Sequence, residues 1–229
     1  MAEPLLRRLG EGLWVVNRPL RIVGLHIGAR MTVIRLANGE LFLHSPVEID
    51  DELCEELSAL GGVGHIVAPN KVHHLFFGQA AAIYPDAARY AAPGLPEKRR
   101  DLDFHEVLGN EAPPAWSGEI EQRVIGGMPM VGEVVFLHRA SGTLLLTDLA
   151  FNMRETDSFL TRQWMRLMGI HGKFGPTRMF KQFIRDREAA RASLDEILSW
   201  DFDRVIVTHG VVLQERGRRA LRDAYRWMG

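Results

Sequence analysis

Chemistry-bearing side chains stand directly after apolar runs at separate places in this sequence. Leu41-Phe42-Leu43 runs into His44, ahead of Ser45-Pro46. His65-Ile66-Val67-Ala68 is stopped by Pro69, and Asn70-Lys71-Val72-His73-His74 follows. Leu144-Leu145-Leu146-Thr147 delivers Asp148, and Val205-Ile206-Val207-Thr208 delivers His209 with Gly210 behind it. Loops at the ends of rigid strands are where function concentrates. A neutral imidazole is a common zinc ligand, so the paired His73 and His74 are weak candidates for metal binding. Side chains of neighbouring residues diverge on a strand, but on a tight loop or helix start both approach one site. Asp148, after an all-apolar run, needs a partner or water. Gly210 permits a close approach of backbone or ligand to His209. Each feature also has a plainer account as a turn, cap or pocket-edge residue.

The elements that must position these groups are legible as short apolar runs. Leu13 to Val16, Leu20 to Val23, Met31 to Leu36 and Leu41 to His44 read as strands, and Asn38-Gly39 between the last two is a strong hairpin signal. Asp50, Asp51 and Glu52 form an acidic helix entry, Leu53, Leu57 and Leu60 give one apolar face, and Gly61-Gly62 ends it. A strand at His65 to Ala68, a short helix through Gln79 to Ile83 and a short strand at Ala88 to Ala91 follow. Pro93 to Pro114 is polar and Pro-rich and reads as loop with short strands. Gln122 to Ile125, Glu133 to His138 and Thr143 to Thr147 read as strands. Asp157 to Met168 and Thr177 to Leu198 read as helices parted by Gly169 to Pro176. Arg204 to Thr208 is a last strand, and a helix from about Gln214 to Trp227 closes the chain. This order predicts two sheets with helices outside.

Composition narrows the function classes. The 229 residues, 46% hydrophobic, suffice for one domain with a sizeable core. A formal net charge of −1 gives no reason to expect nucleic-acid binding. The single cysteine, Cys54, excludes an intrachain disulfide and fits a reducing compartment. It stands among Glu52, Glu55 and Glu56, which disfavour a thiolate. Met1 to Gly12 has no apolar signal-peptide core, and no stretch approaches the ~20 apolar residues of a bilayer span; a cytoplasmic protein is expected. Gly-x-Ser-x-Gly and Gly-x-Gly-x-x-Gly patterns are absent, which removes the usual serine-hydrolase and dinucleotide signatures.

In their order and spacing, Leu43-His44-Ser45-Pro46, Val67 to His74, Gly127-Met128-Pro129-Met130-Val131-Gly132-Glu133, Thr147-Asp148 and Thr208-His209-Gly210 resemble the metallo-β-lactamase superfamily over nearly the whole chain. The resemblance implies an α/β fold, the metallo-β-lactamase-like αββα sandwich of two packed mixed sheets flanked by helices, as a single domain over residues 1–229. It points to a divergent, uncharacterised branch. The family's first two loop histidines align near Asn70 and Val72, and His73 and His74 fall near its Asp-His pair. Its middle histidine has no counterpart between Gly127 and Glu133, and its first-strand Asp is replaced by His44 or Ser45.

Carried over residue by residue, the resemblance implies His73, His74, Asp148 and His209 as metal ligands, with Asp148 also in a catalytic role as ligand or general base. That set suits one open site with three protein ligands and a water, holding zinc, iron or manganese, rather than a two-metal centre. His44, Asn70 and Glu133 are expected at the pocket edge; Asn70 can orient a water or substrate but is a poor zinc ligand. Two functions follow: a mononuclear metal-dependent hydrolase of an ester, thioester or phosphoester, or a non-catalytic binding protein that kept the fold and lost the metal, and so takes no cofactor.

Residues 154–191 stand apart. Arg162, Arg166, Lys173, Arg178, Lys181 and Arg185 alternate with Phe159, Leu160, Trp164, Met168, Met179 and Phe183. Lying between the Asp148 and His209 strands, this basic helical insert is expected to wall or cover the pocket. Ordinary amphipathic packing, a homodimer contact and weak attachment to an anionic membrane surface are its other readings.

Overall fold

The computed structural model describes residues 4–229; the first three residues of the Met1–Gly12 stretch lie outside them. In chain order the elements are β1 (Arg7–Gly10), β2 (Leu13–Arg18), β3 (Arg21–Ile22), β4 (Leu25–His26), β5 (Ala29–Arg35), β6 (Leu41–His44), α1 (Asp51–Leu60), β7 (Val63–Ala68), α2 (Phe77–Ile83), β8 (Ala88–Ala91), α3 (Leu95–Lys98) and β9 (Glu106–Val107). The second half contains β10 (Ile120–Val124), β11 (Val134–His138), β12 (Thr143–Leu146), α4 (Phe159–Met168), α5 (Arg178–Gln182), α6 (Arg187–Ser199), β13 (Arg204–Val207) and α7 (Gly217–Tyr225).

Strand order β1-β2-β5-β6-β7-β8-β9 forms one mixed sheet and β10-β11-β12-β13 a second; β3 and β4 form a separate hairpin. The predicted Asn38-Gly39 turn joins β5 to β6, with Gly39 at φ +87°. From β6 onward the first sheet is parallel, β7 following β6 through α1 and β8 following β7 through α2. β13 returns parallel to β12 after the helical segment.

Side chains alternate across a strand, and here both faces are buried. In β6, Phe42 packs between the sheets while Leu41 and Leu43 pack with Leu53 and Leu57 of α1. In β12 and β13, Leu145 and Ile206 enter the inter-sheet core, whereas Leu144, Leu146, Val205 and Val207 meet α6 and α7. Near-continuous apolar runs in these strands therefore reflect burial on two sides. The layers are helix, sheet, sheet, helix, the predicted αββα sandwich.

The expected single helix over Thr177 to Leu198 is two. Asp186 accepts from Ala189 N and caps α6, and both Arg185 N and Asp186 N donate to Gly127 O. Those bonds hold the chain against the Gly127 turn, where a Cβ would sit 2.0 Å from Asp186 O. Apolar periodicity continues across this break, so it did not mark the end of α5. Among the described residues no helix is long and apolar enough to cross a membrane.

Candidate metal centre

The C-terminal ends of β6, β7, β12 and β13, two from each sheet, converge on one site. His73, Asp148 and His209 each present a ligand atom there, all within 4.8 Å of one another. His73 Nε2 lies 3.4 Å from Asp148 Oδ2, and His209 Nε2 lies 3.9 Å from Asp148 Oδ1.

Both imidazoles are oriented through their other nitrogen. His209 Nδ1 donates to Gly28 O at 3.0 Å, which leaves Nε2 as the lone-pair nitrogen facing Asp148. Phe151 stacks on the His209 ring at 5.0 Å between centroids. His73 Nδ1 is 3.2 Å from Ser45 Oγ, while its buried Nε2 has no hydrogen-bond partner. Ser45 holds a left-handed backbone, φ +55°, and Ser45 N bonds Val67 O.

Asn70 organises the loop. Its Oδ1 accepts from Val72 N and His73 N at 2.8 and 2.7 Å, and its Nδ2 donates to Thr147 Oγ1 and Asp148 Oδ2 at 2.9 and 2.8 Å. With both ends of its amide engaged, Asn70 positions His73 and Asp148 together. Glu133 holds Asp148 from below: Oε1 accepts from Thr147 N, and Oε2 accepts from Asp148 N and Leu149 N. Arg30, a buried cation, performs the same service for His209. Its guanidinium donates to Val207 O and Gly210 O, bracketing Thr208-His209, and to Asn17 Oδ1. Burial, then the charge of Arg7, lowers Arg30 to about 10. Gly210, at φ +104°, is approached by backbone: a Cβ there would sit 2.3 Å from Asn152 O.

Burial raises Asp148, but His73, His209 and the Asn70 amide more than compensate and hold it at about 2. Burial lowers His73, yet the Asp148 and Glu133 charges outweigh it and leave its pKa raised. Burial, then the His73 charge, lowers His209 to about 4 and His44 to about 3. Burial and the Asp148 charge raise Glu133 to about 7, with the N–H bond from Thr147 pulling the other way. Asp148 is therefore anionic and His209 and His44 neutral near pH 7, while the neighbouring carboxylates favour the protonated form of His73.

Two sequence expectations change here. His74, expected in the ligand set, turns away: its Nδ1 is 2.8 Å from Arg99 Nη1, and it takes no place in the cluster. The loop directed by Asn70 separates the neighbouring imidazoles. Glu133 and Asn70, expected at the pocket edge, are fully buried supports. His44 is likewise buried beneath the site, its ring edge against Phe136 and its Nε2 unpartnered. Ser45 and Arg30 are the supports that sequence reading did not assign. Ser45 had one signal, its place where the family carries an Asp; Arg30 had none beyond a charge opening an apolar run.

The donor set fits one divalent ion. Two imidazole nitrogens and a carboxylate are zinc-type ligands; at metal–ligand distances of about 2.0–2.1 Å tetrahedral ligand atoms stand ~3.3 Å apart, a spacing that His73 Nε2 and Asp148 Oδ2 match at 3.4 Å and that the three ligand atoms, within 4.8 Å of one another, reach by a small inward shift. Their Nδ1 contacts are the outer hydrogen bonds that orient ligating histidines. Among the described residues no other group of histidine, cysteine and carboxylate side chains gathers this way.

Above the cluster opens a cavity of about 280 Å³. The β3–β4 hairpin forms one wall, Phe151 and Trp164 a second, and Val72, Leu75 and Phe76 a third. Thr161 Oγ1 accepts from His26 N and ties α4 to the hairpin.

The sequence matches the family described as Domain of unknown function (DUF4336) over residues 10–166. No curated protein matches it. Among solved structures, the DIM-1 metallo-β-lactamase aligns over 99% of each chain at 16% identity and a TM-score of 0.66. A metallo-β-lactamase from Erythrobacter litoralis aligns over 97% of this chain and 96% of its own, at 12% identity and a TM-score of 0.67. The FIM-1 enzyme from Pseudomonas aeruginosa covers 99% of this chain and 95% of its own, at 12% identity and a TM-score of 0.65. The αββα layering and these alignments agree on the fold, and the chain belongs to the DUF4336 family of domains of unknown function, built on the metallo-β-lactamase fold.

Proposed function

We propose that this chain is a mononuclear metal-dependent hydrolase of an ester, thioester or phosphoester, with His73, Asp148 and His209 as the metal ligands. The observation that carries this reading is the pair of Nε2 atoms aimed at one carboxylate, each ring oriented through Nδ1. A protein of this fold from Pseudomonas aeruginosa has been described in a mono-zinc form, which supports a one-ion site in this architecture.

A bound divalent ion would lower the pKa of its water toward neutrality and polarise the substrate oxygen. The chain's residues supply the rest. Asp148, ionised down to about pH 2, is a good ligand and a weak base. Asn70 and Glu133 hold that carboxylate in place, and Arg30 and Gly28 O hold His209. The apolar walls exclude bulk water, so charge developing on the substrate is screened less than in solution.

The test is turnover of nitrophenyl esters and nitrophenyl phosphate by tag-free protein, stripped of metal and then supplied with zinc, iron or manganese. Hydrolysis should appear only with metal and fall at least 100-fold in Asp148→Asn. Equal rates with and without metal, or no turnover of any of them, would count against the proposal.

A further inference from the structure

The cavity is chemically two-sided. Its floor holds Ser45, His73, Asp148 and His209, and every other lining residue is apolar. Among the described residues no lysine or arginine lines it, although basic residues crowd the 154–191 segment. Arg154, Arg166 and Arg178 are exposed on that segment. A phosphoester or carboxylate-bearing substrate would enter with its charge stripped of water and with no cation beyond the metal to meet it, which is costly.

The apolar lining continues out through the mouth. Ile22, Val72, Leu75 and Met179 all line the cavity, yet remain 45%, 54%, 60% and 47% exposed. Leu160 lies at the hairpin tip, its Cδ2 3.3 Å from where a Gly24 Cβ would stand. On α4, Leu160, Trp164 and Leu167 share one side by their spacing, so the exposed Leu160 and Leu167 extend the Trp164 wall. At roughly 30 Å³ for a water-sized group, 280 Å³ takes on the order of nine non-hydrogen atoms.

We propose that the site takes an uncharged carboxylic ester or thioester of a medium-length aliphatic acid, with the acyl chain lying between the β3–β4 hairpin, Trp164 and Leu75 and the carbonyl resting at His73, Asp148 and His209. This rests on the hydrolase reading and narrows its substrate. In turnover, water oxygen bonds to the acyl carbon, the acyl carbon–oxygen or carbon–sulfur bond breaks, and a water proton passes to the departing oxygen or sulfur. The products are the free acid and an alcohol or thiol.

Straight-chain methyl ketones test the pocket apart from the chemistry, being uncharged, carbonyl-bearing and resistant to hydrolysis. Calorimetric titration of 2-butanone through 2-decanone into metal-free and zinc-loaded protein should give a Kd falling about three- to fourfold per added methylene, levelling once the cavity is full. Leu75→Asp and Met179→Asp alter exposed side chains and should retain the parent melting temperature while weakening 2-decanone at least tenfold. A Kd independent of chain length within twofold, or butyl phosphate binding tighter than 2-decanone, overturns the proposal. Kinetics on nitrophenyl acetate, butyrate and octanoate separate the two ideas. Chain-dependent ketone binding with no turnover of any ester supports this pocket assignment and removes the hydrolase reading. Turnover with no chain preference in either assay overturns the pocket assignment alone.

Discussion

Replacing Asn70 with Asp tests the arrangement at the centre of the site. The change is nearly isosteric. Oδ1 keeps its bonds from Val72 N and His73 N, so the loop retains its cap. What changes is the Nδ2 atom, 2.8 Å from Asp148 Oδ2, which becomes a second carboxylate oxygen. A hydrogen bond to a charged group, worth about 1.5–3 kcal/mol, is lost. Like charges at that distance repel by about 6 kcal/mol at an effective dielectric constant of 20, which the pair avoids by retaining one proton. Holding a proton at pH 8 on a carboxyl of ordinary pKa near 4 costs about 5 kcal/mol. The retained proton bridges the two carboxyls and stands in for the lost bond, so metal-free Asn70→Asp should be destabilised by about 5 kcal/mol at pH 8. The sign of its pH dependence is fixed. The shared carboxyl has a raised folded pKa, so its contribution is fully present below the unfolded value and lost as pH rises through the folded one. The gap to the parent should shrink by up to ~1.4 kcal/mol per unit between pH 8 and 5. Urea denaturation followed by tryptophan fluorescence at several pH values measures it. A variant within about 1 kcal/mol of the parent at pH 8, with no pH-dependent gap, would refute the Asn70–Asp148 contact.

Other consequences are as direct. Ser45→Gly relieves a left-handed non-glycine backbone but removes the hydroxyl at His73 Nδ1; thermal stability should hold or rise by up to ~1 kcal/mol while zinc affinity, by competition with a chelator, falls about 10–100-fold. His73 must be unprotonated to bind metal, and its carboxylate neighbours raise its pKa above the ordinary value, so zinc affinity should fall by up to about tenfold per pH unit below pH 6.5; a flat profile from pH 6.5 to 5 contradicts it. His44 and His209 are lowered to about 3 and 4. At these two positions the unfolded chain binds more protons below pH 6.5, and in metal-free protein each histidine should contribute a loss of about 2 kcal/mol between pH 6.5 and 5, opposed by Glu133, whose raised pKa works the other way. His44→Leu should lose about 2 kcal/mol less than the parent over that interval in acid-denaturation curves.

The fold was legible because the strands feeding the site are apolar on both faces and end abruptly at polar residues. Asp148 and His209 stood out for that reason: nothing in Leu144–Leu146 or Val205–Val207 competes with them. The choice between His73 and His74 was not legible. It turns on how Asn70 folds the loop and on Arg99, which is 25 positions away. Glu133 looked like a strand-start carboxylate; its three backbone donors come from Thr147 to Leu149, across a strand pairing that sequence spacing does not encode. The cavity walls were half legible. Trp164 sat in a segment expected to border the site, but the opposing β3–β4 hairpin becomes a wall through long-range contacts with α4, the Thr161–His26 bond and the Leu160–Gly24 approach among them.

Metal stoichiometry tests the central claim most directly. Tag-free protein, stripped and then equilibrated with zinc, should retain close to one ion per chain by elemental analysis. His74→Ala should retain the same, and His73→Ala and His209→Ala should lose it with the fold intact. Less than a tenth of an equivalent in the parent, or full retention in His209→Ala, would contradict the account.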